Sequence, residues 1–471
     1  MNTPPACTSS AKEKVPLSTR IAFGAGGFSS AFIMQVFFIL VYPIYQVGLG
    51  MNPAWLGWAL AAPRLLDFFI DPLIGNFSDN IKTRWGRRRP LILGGAGFCA
   101  VILPLLWMPP TQEPRMMLAY FVAMSCVYTL GYATFEVPYT GLGYELTDDY
   151  DERTRVLAWR MYMGLAGILI SGWALKLCFL PIFGGNEVKG APWVSGGISL
   201  LILLGAVVTC SGVREKSLRR QPEVRVLEAI RLTFTNRPFV KLMVVNLIVR
   251  VGIVSIGPIA YYINAYEVCR LPDFQASKEF AAKISGWSVT LVVLASYASL
   301  PAAAWLSKRG SKRFSMVLCL AVAALGSASF WFTFDARWPY LQLVSAVVSS
   351  AAMNGVWLLM SSMVADICDE DQLRTGMRRE GVFGASYSVV EKLAGAAATS
   401  LGGWLLLVLG YNAQRALAGD VAPEIIFRMK AIYVFAQCGA LLVAIWLIAS
   451  YPLTRARAAE VRRLLEEKES L

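Results

Sequence analysis

Apolar segments long enough to cross a bilayer recur along almost the whole of this chain, and no other feature narrows its possible folds so far. Twelve can be drawn, at approximately 19–47, 54–79, 90–108, 116–144, 157–182, 194–212, 238–266, 284–307, 314–334, 339–366, 382–410 and 427–451. A spanning helix needs about 20 predominantly apolar residues. The expected fold is therefore all-α, a polytopic membrane protein with twelve transmembrane helices. Composition agrees: 56% of residues are hydrophobic and 16% charged, against about 25% charged in a soluble domain. The first segment is too long for a cleavable signal peptide, and a polar, weakly basic tail precedes it.

The formal charge of +13 would suit a nucleic-acid surface, but its placement argues against one. Lys82, Arg84, Arg87, Arg88 and Arg89 follow segment 2, and Arg214, Lys216, Arg219, Arg220 and Arg225 follow segment 6. Basic residues gathered in the even-numbered loops and the two tails form a topology signal, with these loops and both termini in the cytoplasm. The nine cysteines stand singly, without the spacing of a disulfide framework or a zinc site. Histidine is absent, so any proton coupling must run through carboxylates. GxSxG, HExxH and P-loop patterns are missing as well, which argues against a membrane hydrolase, an ATP-driven pump or any other enzyme. No cofactor is expected.

The polar, Arg-rich stretch 213–237 divides the chain into an N-terminal half (1–212), a cytoplasmic linker (213–237), a C-terminal half (238–451) and a cytoplasmic tail (452–471). The halves echo each other. Glu-Leu-Thr-Asp-Asp-Tyr-Asp-Glu-Arg-Thr-Arg from Glu145 and Val-Ala-Asp-Ile-Cys-Asp-Glu-Asp-Gln-Leu-Arg from Val364 are both acidic-then-basic loops. Each follows the fourth segment of its half and leads into a segment with an isolated cation, Arg160 or Lys392. Two six-helix halves rocking about a midplane site are typical of secondary carriers.

Asp67 and Asp71 sit four positions apart inside segment 2, on one face of a helix and one turn apart. A carboxylate at membrane depth is costly and marks an ion or substrate path. Two that repel each other favour a bound proton or Na⁺, the latter taking hard oxygen ligands. The alternative for Asp67 is an ion pair with Arg64 or Arg160. Glu136 precedes Val137 and Pro138, where a proline frees backbone groups that can line a cavity. Arg250 lies about mid-segment, one turn after Asn246, and must face either a cavity or a buried acid. Arg160 and Lys392 sit near the starts of their segments, from which long side chains can also snorkel to the surface. Trp357 suits either a binding surface or simple packing.

With those carboxylates, Trp85-Gly86-Arg87, Asp149-Tyr150-Asp151-Glu152-Arg153 and Met363-Val364-Ala365-Asp366-Ile367 in view, the chain resembles the glycoside–pentoside–hexuronide:cation symporters. That family is a branch of the major facilitator superfamily, and the resemblance covers roughly residues 19–451. It implies the major facilitator fold, a cation site at Asp67 and Asp71 for Na⁺ or H⁺, and no other metal. It further implies a substrate site at Glu136, Arg160, Trp357 and Lys392, to which Arg250 is added from its own position. Ile70 and Ala133 stand where neutral oxygen ligands are found in sugar-transporting members, so H⁺ rivals Na⁺. Ala31 and Thr140 replace a carboxylate and an aromatic platform, which disfavours a galactoside. Arg160, Arg250 and Lys392 together suit a solute bearing a carboxylate or phosphate.

The expected function is cation-coupled symport of a sugar, glycoside, hexuronide or related small organic solute by alternating access. Asp79, Asp149, Asp151 and Asp366 would face Arg87, Arg88, Arg153 and Arg378 as a cytoplasmic gate. A lysolipid or amphiphile carrier and a non-transporting sensor are the rival expectations. The partners expected are a small solute and the lipid of a prokaryotic inner membrane, with the chain acting as a monomer.

Overall fold

The computed structural model describes residues 15–81, 83–147, 150–213, 215, 236–376, 379–417 and 419–452, with 457, 460, 461, 463–465 and 467 of the C-terminal segment. Most of the 213–237 linker and much of the 452–471 tail therefore lie outside the described residues. In chain order the long helices are α1 (Leu17–Val41), α2 (Pro53–Asn80), α3 (Arg89–Leu106), α4 (Pro114–Glu145), α5 (Tyr150–Ser171) and α6 (Glu187–Gly212). They continue as α7 (Arg237–Val254), α8 (Phe274–Arg309), α9 (Lys312–Thr333), α10 (Gln342–Thr375), α11 (Glu380–Val408) and α12 (Pro423–Ala449). Among the described residues, ten helical stretches are long and apolar enough to cross a membrane. The chain is an integral membrane protein. Absent from those ten are α2 and α11, as long as the rest, whose mean hydropathy is lowered by the charged residues they carry inside.

Local chemistry explains where the helices begin. Asn52, Asn186, Asn236, Asp273 and Ser311 each accept a backbone N–H of the following turn, and Pro53, Pro114, Pro238 and Pro423 stand within the first turn of their helices. At α6 and α8 the capping residues lie well outside the apolar stretches. α6 begins at Glu187 rather than 194, α8 at Phe274 rather than 284, and α11 reaches back to Glu380. With α5 starting at Tyr150 and α11 at Glu380, Arg160 and Lys392 sit within these helices rather than at their starts. Beyond their α-helical parts, the first helix of each set of six widens into a π turn, Tyr42–Gly48 after α1 and Asn264–Val268 before Cys269. Leu49 N–H reaches Ile44 O and Cys269 N–H reaches Asn264 O, both at 2.8 Å.

Helices α1 to α6 pack among themselves, as do α7 to α12, and α2 lies along α11 where the two groups meet. Glycine permits that contact. A Cβ on Gly403 would fall 2.3 Å from Pro53 O and 2.8 Å from Gly57 Cα. The obstacle is backbone, which cannot swing aside. Gly403→Val is expected to force α2 and α11 apart and to lower stability by about 1–3 kcal/mol, the usual cost of overpacking. A thermal unfolding curve in detergent checks this.

The two groups of helices close on each other at one end only. We call the end carrying the start of α1, the end of α12 and the Arg87–Arg89 loop the basic end, and the opposite one the far end. At the far end, Lys278 of α8 pairs with Glu187 of α6, their side chains 8% and 0% exposed. Gln275 Nε2 donates to Glu187 Oε2 at 2.9 Å and to Gly185 O at 2.8 Å. Lys176 pairs with Glu279, and Trp173 Nε1 donates to Thr290 Oγ1 at 3.0 Å. One buried apolar cluster, with Tyr45, Tyr262 and Tyr411, runs across both groups there. At the basic end every ion pair among the described residues stays within one group, so the seal lies at the far end.

Candidate functional site

Arg64, Arg160, Arg250 and Lys392, with Asp67, Asp71, Glu136 and Glu391, lie in the interior stretches of the helices. Each is placed by its own helix. In α2, Asp67 and Asp71 share one face, as their spacing predicts. Lys392 of α11 pairs with Asp71 across the α2–α11 contact and approaches the backbone carbonyl of Asp67 at 3.4 Å. Asp67 is only 8% exposed, and its Oδ1 has no hydrogen-bond partner. It lines a cavity of about 30 Å³ with Arg64, Thr129 and Tyr132 among its neighbours, room for about two waters. Arg64 lies 4.8 Å from the centre of the Phe38 ring. Among the described residues, neither Arg64 nor Arg160 forms an ion pair with Asp67.

A second group joins α1, α4 and α5. Arg160 pairs with Glu136 and donates to Thr140 Oγ1 at 3.2 Å. Glu136 Oε2 accepts from Ser30 Oγ at 2.6 Å. The Arg160 guanidinium lies 5.0 Å from the centre of the Tyr139 ring, which is fixed by its hydroxyl donating to Phe23 O at 2.7 Å. Gly27 makes room for this arrangement, since a Cβ there would lie 2.6 Å from Arg160 O. Thr140, read as the loss of an aromatic platform, instead bridges acid and base.

In the third group Arg250 of α7 pairs with Glu391 of α11 and lies 4.8 Å from the Trp357 ring centre on α10. Tyr387, one turn before Glu391, lies beside both charges. Arg250 is therefore held by an interior acid, one of the two possibilities left open by its position. Glu391 was missed in the sequence although the rule that marks Asp67, an acid inside an apolar segment, applies to it equally. Its neighbour Lys392, expected at the substrate, is occupied by Asp71 in this structure.

The gate residues fall apart into local pairs. Arg88 holds Asp79 at 2.9 Å and Glu145 at 2.8 Å, Arg87 reaches Glu145 at 3.2 Å, and Lys312 holds Asp366 at 2.6 Å. None of these crosses between the helix groups. Asp149 and Arg378 lie outside the described residues, as do the side chains of Asp151 and Arg153. Glu145 and Lys312 had not been singled out in the sequence.

The sequence pattern of the MFS/sugar transport protein family matches residues 19–455. An uncharacterized symporter of Synechocystis is 25% identical, covering 97% of this chain and 98% of its own length. The isoprimeverose transporter of Lactiplantibacillus pentosus is 24% identical over 88% of this chain and 85% of its own. The crystal structure of the nucleoside transporter NupG superposes with a TM-score of 0.62 at 11% identity, over 92% of this chain and 98% of that one. This last likeness is one of fold alone, and it gives the all-helical bundle its class, the fold expected from the sequence. With a match over nearly its whole length, the chain belongs to the MFS/sugar transport protein family.

Proposed function

We propose that this protein is a cation-coupled symporter that moves a sugar, glycoside or related small organic solute across a cell membrane. The observation that carries the proposal is the Asp71–Lys392 pair beside a buried Asp67 carboxylate with one unsatisfied oxygen. Buried polar atoms without partners are rare in native structures and call for an explanation. A Na⁺ or H⁺ at the α2 carboxylates supplies one. It satisfies Asp67, competes with Lys392 for Asp71, and so couples ion binding to the contact between the two halves. The small cavity offers few neutral oxygens beyond Thr129 and Tyr132, and a proton needs none.

Positive charge at the basic end orients that end to the cytoplasm. The seal at the far end then makes this the inward-facing state, in which the cytoplasmic pairs are local because the halves are apart. Glu136, Arg160, Trp357 and Arg250 would meet the solute between the halves, and the natural setting is a prokaryotic inner membrane.

The test is uptake into vesicles reconstituted with the purified chain and preloaded to give an inward Na⁺ or H⁺ gradient. A panel of glycosides and uronides is expected to include a solute that accumulates while the gradient lasts and leaks back when an ionophore dissipates it. Equal uptake with and without both gradients rules out symport.

A further inference from the structure

We propose that the far end of α7 to α12 carries a binding site for an anionic phospholipid, its phosphate at Arg337 and Lys430 and an acyl chain against an aromatic wall formed by α9 and α12. The site uses none of the interior charges, and its case does not depend on which solute or ion is carried. Three observations lead to it.

The first is a groove beside two cations. The turn joining α9 to α10 borders an open groove of about 460 Å³, lined by Arg337, Trp338, Pro339 and Tyr340. That volume is in the range of small-ligand sites. Lys430 of α12 reaches the same turn, where its Nζ donates to Phe334 O at 2.8 Å and lies 5.7 Å from the centre of the Trp331 ring. The hydrogen bond fixes the ammonium beside the segment that carries Arg337.

The second is that the nearby acids are engaged elsewhere. Asp335 Oδ1 accepts the backbone N–H of Arg337 at 2.8 Å, and Glu424 holds Arg428 at 2.6 Å. Among the described residues, neither Arg337 nor Lys430 forms an ion pair. A guanidinium presents paired N–H groups that match phosphate oxygens, and an ammonium near it adds a second charge. Trp338 and Tyr340 are 69% and 45% exposed. Such rings settle at the headgroup level of a bilayer, one edge apolar and the other wet, which puts the groove at the depth of lipid phosphates.

The third selects a lipid over a free phosphate. Beside Lys430, Trp331 of α9 meets Phe427 and Phe435 of α12 at ring-centre distances of 5.7 and 5.5 Å. Both phenylalanines are exposed. They stand eight positions apart, about 12 Å along the helix. An acyl chain descending from a phosphate at Lys430 covers this wall, whereas inorganic phosphate leaves it bare.

The test uses the full-length protein in detergent, with bound lipid counted by native mass spectrometry. Phosphatidylglycerol, phosphatidylcholine and inorganic phosphate are the probes. Phosphatidylglycerol is expected to bind several-fold more tightly than phosphatidylcholine. One cation beside an anionic lipid is worth about fivefold in affinity. Arg337→Gln should therefore weaken phosphatidylglycerol by about fivefold, and the double variant with Lys430→Gln by about twenty- to thirtyfold. Lys189→Gln, at an exposed lysine of α6, should leave binding unchanged. Should Lys430→Gln not fold, Arg337→Gln alone decides, and an unchanged affinity there overturns the site. Equal binding of the two lipids overturns it too, as does an equal loss in Lys189→Gln, which would mean diffuse attraction only. Displacement of phosphatidylglycerol by inorganic phosphate at equal concentration overturns the assignment to a lipid.

Discussion

Glu187→Gln is expected to unseal the far end. It leaves the Lys278 ammonium buried beneath Phe274 without its counter-ion. Breaking a buried ion pair from one side costs about 3–5 kcal/mol, because a charge stays behind without compensation. Opening the far end lets water reach that charge, so the penalty falls mainly on the closed state. The equilibrium therefore shifts toward the form open at the far end by about two to three and a half orders of magnitude. Cys178 and Cys269 report on this without any added label site, because both are buried at the far end, 0% and 1% exposed. Their alkylation by a polar maleimide, located by mass spectrometry, should be slow in the parent protein and fast in the variant. Replacing both partners, in Glu187→Gln with Lys278→Met, should restore slow alkylation, since a buried pair exchanged for uncharged groups is close to neutral in stability. Equal rates in parent and single variant would show that the pair does not hold the seal.

Asp71→Asn should abolish ion-driven accumulation. The amide keeps the shape of the side chain but cannot neutralise Lys392 or share a cation with Asp67. In the proposed symport cycle the ion must favour one state over another, and a site that no longer distinguishes them transmits nothing. Accumulation in vesicles with an imposed gradient should fall to that of protein-free vesicles, while the melting profile stays that of a folded protein. Gradient-driven uptake at the parental level in Asp71→Asn would remove the α2 carboxylates from the coupling step.

Much of this was legible in the chain itself, and particular residues show why the rest was not. The helical bundle follows from apolar length, and Asp67 and Asp71 follow from helical spacing, because both depend on neighbours in sequence. Which cation meets which acid depends on contacts between helices, and no spacing carries that. Arg160 with Glu136, Lys392 with Asp71 and Arg250 with Glu391 join residues 24, 321 and 141 positions apart. The far-end latch was missed for a different reason. Glu187 and Lys278 lie outside the apolar stretches, and polar end residues read as loop. Asn186 and Asp273 were the available clue, since each caps a helix that starts a turn or more before the hydrophobic run. A boundary drawn from caps rather than hydropathy would have put both charges on helices.

The π turns that end the first helix of each half have a consequence for comparing sequences. A π turn is an α-helix with an inserted residue, and it rotates everything beyond it by about a third of a turn. A relative whose first helix runs straight through as α-helix should therefore show a one-residue deletion between Tyr42 and Gly48, and a second between Asn264 and Val268 if its seventh does likewise. An ungapped alignment across either stretch would pair side chains that point in different directions. Tyr45, part of the buried far-end cluster, would then be matched to a residue pointing elsewhere.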